Sequence, residues 1–200
     1  MEHVNAMAAG AIIFVGAVQF ILCLTIATAL YPAYSVSENY ISDLGVGVSA
    51  PIFNASVFVL GLSAVASVHF MRGFVQDKIF LLFLTLCGIG AMGVGLFPEN
   101  YGVIHTFVSL LAFLFGSLSA IKSCKIQKPP MSYFAVVLGL ISLVALVLFG
   151  ASEVELHLDG GQVAAFYLGL GKGGMERMIA YPIILWATGF GGHLMGKSKN

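Results

Sequence analysis

Charge is what this sequence has least of. Its nine Lys and Arg and nine Asp and Glu make up 9% of 200 residues, where a soluble globular chain carries about 25%. A water-facing surface cannot be assembled from so few charges, which excludes a soluble enzyme and a soluble nucleic-acid binder. The charges also cancel to a formal net of zero, so no overall field draws in nucleic acid or an anionic surface. Cysteine is equally scarce. Cys23 and Cys87 fall inside apolar runs and Cys124 in a lysine-bearing loop. That leaves no CxxC pair, no metal-ligand spacing and no disulfide framework, so the three read as small packing residues.

What the chain has instead is apolar length. Hydrophobic residues are 59% of it and the mean hydropathy is +0.99, which makes lipid its main solvent. Six apolar runs of about 20 residues stand out. They cover roughly 5–30, 51–70, 78–97, 102–122, 131–150 and 175–195, and Tyr31-Pro32, Phe97-Pro98 and glycine clusters punctuate them. The runs are continuously apolar rather than alternating, so they predict helices and not a β-barrel. The first is too long, and too poor in N-terminal Lys and Arg, for a signal peptide. The expected architecture is an all-α, polytopic membrane bundle of six helices, with a short amphipathic segment after the first. Residues 1–200 form one transmembrane domain with no linker left over. Ala91 and Gly95, Gly116 and Ala120, and Gly192 and Gly196 are small residues four apart that predict close helix packing, and Pro182 is expected to bend the sixth helix.

Six spans put both termini on one side, and the basic residues say which. Arg72, Lys78, Lys122, Lys125, Lys128, Lys197 and Lys199 share the terminal side. The other side keeps only Lys172 and Arg177 against Glu38, Asp43, Glu99, Glu153, Glu155, Asp159 and Glu176. By the positive-inside rule both termini are cytoplasmic, and the acidic loops face out of the cell membrane.

Three constellations carry candidate chemistry. The segment from Tyr34 to Gly45 is the densest polar stretch, and Ser35 with Glu38 reads as a capping box that starts a short helix. On such a helix Glu38 and Ser42 share one face, and Asn39 and Asp43 the next. An amphipathic connector with solvated acids is the plain alternative. Glu176 and Arg177 open the sixth span after a glycine string, and an arginine drawn into lipid needs a partner, expected here to be Glu38, Asp43, Glu176 or a lipid phosphate. A snorkelling arginine at the boundary is the alternative. The string contains GxGxxG, but no strand precedes it, so no dinucleotide site is expected. His105 lies one turn into the fourth span with Ser109 one turn deeper on the same face, an ionisable group at a depth that suggests function. A neutral, hydrogen-bonded histidine inside a bundle is the bland reading. His157 with Asp159 lacks a recognised ligand spacing, so neither a metal nor a cofactor is expected.

Together these residues have a familiar arrangement. Ser37-Glu38-Asn39-Tyr40-Ile41-Ser42-Asp43-Leu44-Gly45 follows the first span, Gly95-Leu96-Phe97-Pro98 precedes His105, and Gly174-Met175-Glu176-Arg177 leads to Tyr181-Pro182 and Trp186. In these three segments the sequence resembles a family of six-helix archaeal and bacterial membrane proteins catalogued as domain of unknown function 998. The resemblance implies the six-helix fold and polar motifs on the outer side; it carries no established reaction.

All three segments fall on the outer face of the expected topology. The leading functional reading is therefore a pocket there that binds, and processes, a lipid head group or another amphiphile. In it His105 with Glu38 or Asp43 acts as acid and base, while Ser42, Asn39, Ser109, Glu176 and Arg177 bind, Arg177 holding an anionic group. Membrane lipids are the expected partners. A non-catalytic module, either lipid sensor or partner subunit, is the second reading, and a transporter the third. The third wants ionisable residues near midplane, where only Gln19, Asn54 and scattered Ser and Thr lie.

Overall fold

The computed structural model describes residues 2–158 and 167–197. Six α-helices account for most of them: α1 (Glu2–Leu30), α2 (Ala50–Met71), α3 (Lys78–Leu96), α4 (Val103–Lys122), α5 (Met131–Leu158) and α6 (Gly171–Lys197). All six are long and apolar enough to cross a membrane, and no strand occurs among the described residues. Local chemistry sets the ends. Pro51 stands in the first turn of α2, where its missing N–H costs nothing. The Asp77 carboxylate caps α3 by accepting from Phe80 N at 3.1 Å. Gly102, at φ +55°, turns the chain into α4.

Each helix packs on the next, and α6 closes back on α1. Only 22 to 50% of each span is buried inside the bundle, so half or more of every helix faces outward. Those faces carry Val15, Leu82, Phe107, Val144 and Leu185, the surface that lipid must cover. Inside, small residues bring backbones together. Gly10 of α1 lies against Gly191 of α6, and Gly61 of α2 against Gly88 of α3, so that a Cβ on any of the four would come within 2.4–2.7 Å of the opposing carbonyl oxygen. Polar ties add direction: Gln19 Nε2 donates to Ser56 O at 2.9 Å, and Ser142 Oγ donates to Ile179 O at 2.7 Å.

Three expectations change. Gly192 and Gly196 meet nothing within 4 Å, so they do not mediate helix packing; Gly191, one residue earlier, does. The fifth helix runs past Gly150 to Leu158, because Ala151-Ser152-Glu153-Val154 continues in residues that sustain a helix. His157 thus falls in its last turn, beyond the expected end of the span, while its side chain and Asp159 lie outside the described residues. Finally, no helix starts at Ser35. Glu38 N does donate to Ser35 Oγ at 3.3 Å, but Ser35 N is taken by Asn39 Oδ1 at 3.0 Å, so the capping box is only half made. The segment is a turn followed by 3-10 turns at Ser42–Gly45 and Gly47–Ser49. Its Val36, Ser37 and Asn39 carbonyls are engaged by α6, so beyond the single turn from Asn39 N to Ser35 O a helix lacks those acceptors to propagate with.

Candidate functional site

The functional candidates meet at the end of the bundle that carries the α1–α2, α3–α4 and α5–α6 connections, away from Glu2 and Lys197. The glycine string makes this meeting possible. Gly171, at φ +72°, and Gly173 lie so close to the first connection that Cβ atoms on them would fall 2.4 Å from Ser37 O and 1.9 Å from Asn39 O. Gly173 N donates to Ser37 O at 2.9 Å. Arg177, 7% exposed, then threads under the segment. Its Nη1 donates to Val36 O (3.0 Å), Asn39 O (3.3 Å) and Gly173 O (2.7 Å), and its Nη2 to the Tyr34 hydroxyl. The Tyr34 hydroxyl donates in turn to Tyr40 O at 2.9 Å. Burial raises the Tyr34 pKa, against the pull of Arg177, so the phenol stays protonated and is available to donate. Next to Arg177, Glu176, also 7% exposed, accepts from Ile41 N.

Arg177 therefore pairs with backbone carbonyls and a phenol, not with the carboxylate expected of it. The reason is steric: the glycines let the first connection lie directly on the first turn of α6, and its carbonyls reach the guanidinium before any carboxylate does. The only ion pair among the described residues is Lys122 Nζ to Asp77 Oδ2, 3.3 Å, near the opposite end.

The same segment links to the α3–α4 connection. Asp43 Oδ2 accepts from Asn39 Nδ2 at 2.8 Å and from Tyr40 N at 3.0 Å, and Ser42 Oγ donates to Glu99 Oε2 at 3.3 Å. Burial first, and then the neighbouring Asp43 carboxyl, push the Glu99 pKa up to about 7. On the α5 side Tyr40 donates to Glu153 Oε1 at 2.8 Å, joined there by the Tyr167 hydroxyl. Both phenols titrate well above their ordinary value, through burial and then the Glu153 carboxylate. Lys172 Nζ sits 4.4 Å from the Tyr40 ring centre.

Between these ties lies a cavity of about 680 Å³. Its polar wall is Tyr40, Ser42, Glu99, His105, Ser109, Glu153 and Glu176; Phe113, Leu146 and Phe149 supply apolar wall. A narrower cavity of about 90 Å³ adjoins it between Phe20, Phe53, Leu60, Val94 and Ile183, sharing Ser42, His105, Ser109, Phe113 and Glu176 with the larger one. At this junction His105 Nδ1 lies 2.8 Å from Phe97 O, and Ser109 Oγ lies 3.2 Å from His105 Nε2.

Of the residues expected at the site, His105, Ser109, Ser42 and Glu176 line this cavity. Asp43 and Asn39 stand behind the wall, bonded to each other and to backbone. Glu38 does not reach it. Its side chain is exposed and accepts only from Ser37 Oγ, at 3.2 Å, because the turn at 36–38 points it away from the bundle; an acid–base role for Glu38 is withdrawn. Sequence reasoning passed over Glu99, Glu153, Tyr34 and Tyr40. Glu99 had a signal, since it sits between Pro98 and His105 in one of the three notable segments. Glu153 had none, lying beyond the expected end of its span. Trp186 belongs to another place, donating from Nε1 to Ser123 Oγ at 2.9 Å near the terminal end. Among the described residues, no group of three or more His, Cys, Asp or Glu side chains is placed to hold a metal ion.

Fold and site define a six-helix membrane protein with a cavity lined by its first and third connections and by α4, α5 and α6. The chain belongs to the family described as "Protein of unknown function (DUF998)", whose model matches residues 14–193, a range that includes all three notable segments. No curated protein matches it, and no solved structure does.

Proposed function

We propose that the protein binds a membrane amphiphile, a lipid head group being its polar part, in the cavity beside His105. The observation that carries this reading is the wall that the two cavities share. The larger sets carboxyl, phenol, hydroxyl and imidazole groups among apolar side chains and adjoins a slot that is almost wholly apolar, matching a molecule with one polar and one apolar end. The arrangement also revises how the head group is held. Arg177 is committed to carbonyls, so the acceptor oxygens of Ser42 and of the wall's carboxyls do the holding, and an anionic group clasped by arginine is not part of the reading. Gly150 lines the larger cavity and has no atom within 4 Å of an added Cβ, so Gly150→Trp should fill the chamber without straining the helix. Native mass spectrometry of the detergent-purified protein is expected to show one co-purified amphiphile per chain, absent from Gly150→Trp. Equal occupancy in the two proteins, or none in the wild type, would end the reading.

The lysine and arginine distribution supports termini on the cytoplasmic side of the cell membrane, which puts the cavity in the outer leaflet. In a background lacking the three native cysteines, Glu38→Cys is expected to react with an impermeant maleimide on intact cells. Lys128→Cys is expected to stay protected, and the reverse pattern would invert the topology.

A further inference from the structure

We propose that Ser109 is a nucleophile activated by His105, and that the protein hydrolyses a carboxylic ester of an amphiphile whose carbonyl lies where the two cavities meet. The inference rests on the amphiphile-binding reading and adds a reaction to it.

Hydrogen-bond direction is the first argument. A carbonyl oxygen only accepts, so the 2.8 Å contact with Phe97 O places the proton on His105 Nδ1. Nε2 is then a lone pair, and the 3.2 Å contact makes the Ser109 hydroxyl its donor. Nucleophile, base and a third group orienting the base are thus in sequence. The second argument is that Ser109 does not take the outlet that several other helical hydroxyls take. On these helices Thr25, Thr28, Ser63, Thr85, Ser117 and Thr188 return their hydroxyls to the carbonyl four residues back, the usual outlet for a helical hydroxyl in an apolar setting. Ser109 gives its hydroxyl to an imidazole instead.

Position supplies the third argument. His105 and Ser109 belong to the walls of both cavities, so an ester seated across the junction keeps its acyl portion in the apolar slot and its alcohol portion in the polar chamber. Its carbonyl carbon then lies beside Oγ. Attack forms the Oγ–carbon bond as the hydroxyl proton passes to Nε2. The tetrahedral intermediate expels the alkoxide, which leaves with that proton as an alcohol. Water from the polar chamber then adds to the acyl-serine, giving a proton to Nε2. Oγ departs with that proton, so the products are a carboxylic acid and an alcohol, with the serine restored.

The test uses the full-length protein in detergent with an alkyl fluorophosphonate, read by peptide mass spectrometry. A single adduct on Ser109 is expected, absent in Ser109→Ala. His105→Asn keeps an N–H for Phe97 O but has no basic nitrogen at the Nε2 position, and it should slow labelling on the order of 100-fold or more. Hydrolysis of a short-chain p-nitrophenyl ester should fall in parallel. No adduct on Ser109, or equal labelling rates in the wild type and His105→Asn, would overturn the nucleophile. In that event an amphiphile still held by Ser109→Ala and displaced by Gly150→Trp leaves the binding reading standing. Should His105→Asn not fold, Ser109→Cys takes its place: a thiol there should react with iodoacetamide faster than Cys124, and a rate equal to or below that of Cys124 would overturn the proposal.

Discussion

Arg177→Ala is expected to destabilise the protein by on the order of 3 kcal/mol or more, read as a lowered melting temperature in detergent. The size follows from what would be stranded. Three carbonyl oxygens, of Val36, Asn39 and Gly173, and the Tyr34 hydroxyl lose their donor at once, and each buried acceptor left without a partner costs about 1–3 kcal/mol. Water entering the gap would recover part of this, which keeps the total below the simple sum. Arg177→Lys is expected to recover only part of the stability, because an ammonium presents its donors from one point and cannot span the phenol and the carbonyls as the guanidinium fork does. The first connection should loosen in step. Protease cleavage between Val36 and Asn39 should appear in Arg177→Ala before any within the helices. If Arg177→Ala melts like the wild type, the clamp is incidental, and a boundary arginine is all that remains.

Such a clamp shows what a sequence of this kind conveys and what it withholds. The spans were legible because the bilayer imposes a length and an apolar character that few residues can meet, and proline and glycine mark where they stop. His105 and Ser109 were legible as a pair because four residues along a helix return to the same face. The partners of Arg177 were not, since backbone carbonyls belong to every residue and leave no mark in the sequence. A charged residue near lipid announces that it needs a partner, and the natural guess is an opposite charge; here the first connection lies too close on α6 for any carboxylate to intervene. The glycine string has the spacing of a phosphate-binding turn but no strand before it, and that spacing did not tell its use, which is to admit the Ser37 and Asn39 carbonyls against the start of α6.

The acid cluster is a tertiary fact as well. Asp43, Glu99, Glu153 and Glu176 come from four separate stretches of chain, and only the folded connections set them around one chamber. Their arrangement is graded: Asp43 is tied to Asn39 and the Tyr40 backbone, Glu153 to two phenols, and Glu99 to the Ser42 hydroxyl. Half-buried beside Asp43, Glu99 keeps its proton to a higher pH than a lone surface glutamate, which loses it near pH 4.

Adjacent glycines on α6 should respond in opposite directions to the same substitution. Gly191→Ala is expected to destabilise the bundle by about 1–3 kcal/mol, because its Cβ would stand 2.7 Å from Gly10 O and 2.9 Å from Ile13 Cγ2. Relief requires α1 and α6 to move apart, in a core that resists overpacking. Gly192→Ala meets nothing within 4 Å, and replacing a helical glycine by alanine favours the helix by up to about 1 kcal/mol, so its melting temperature should equal or exceed that of the wild type. The small-residue spacing of Gly192 and Gly196 predicts the reverse order. Melting curves of the two variants in one detergent decide between them: Gly192→Ala falling further than Gly191→Ala would mean that α6 presents a different face to α1, and that the Gly10–Gly191 contact does not close the ring.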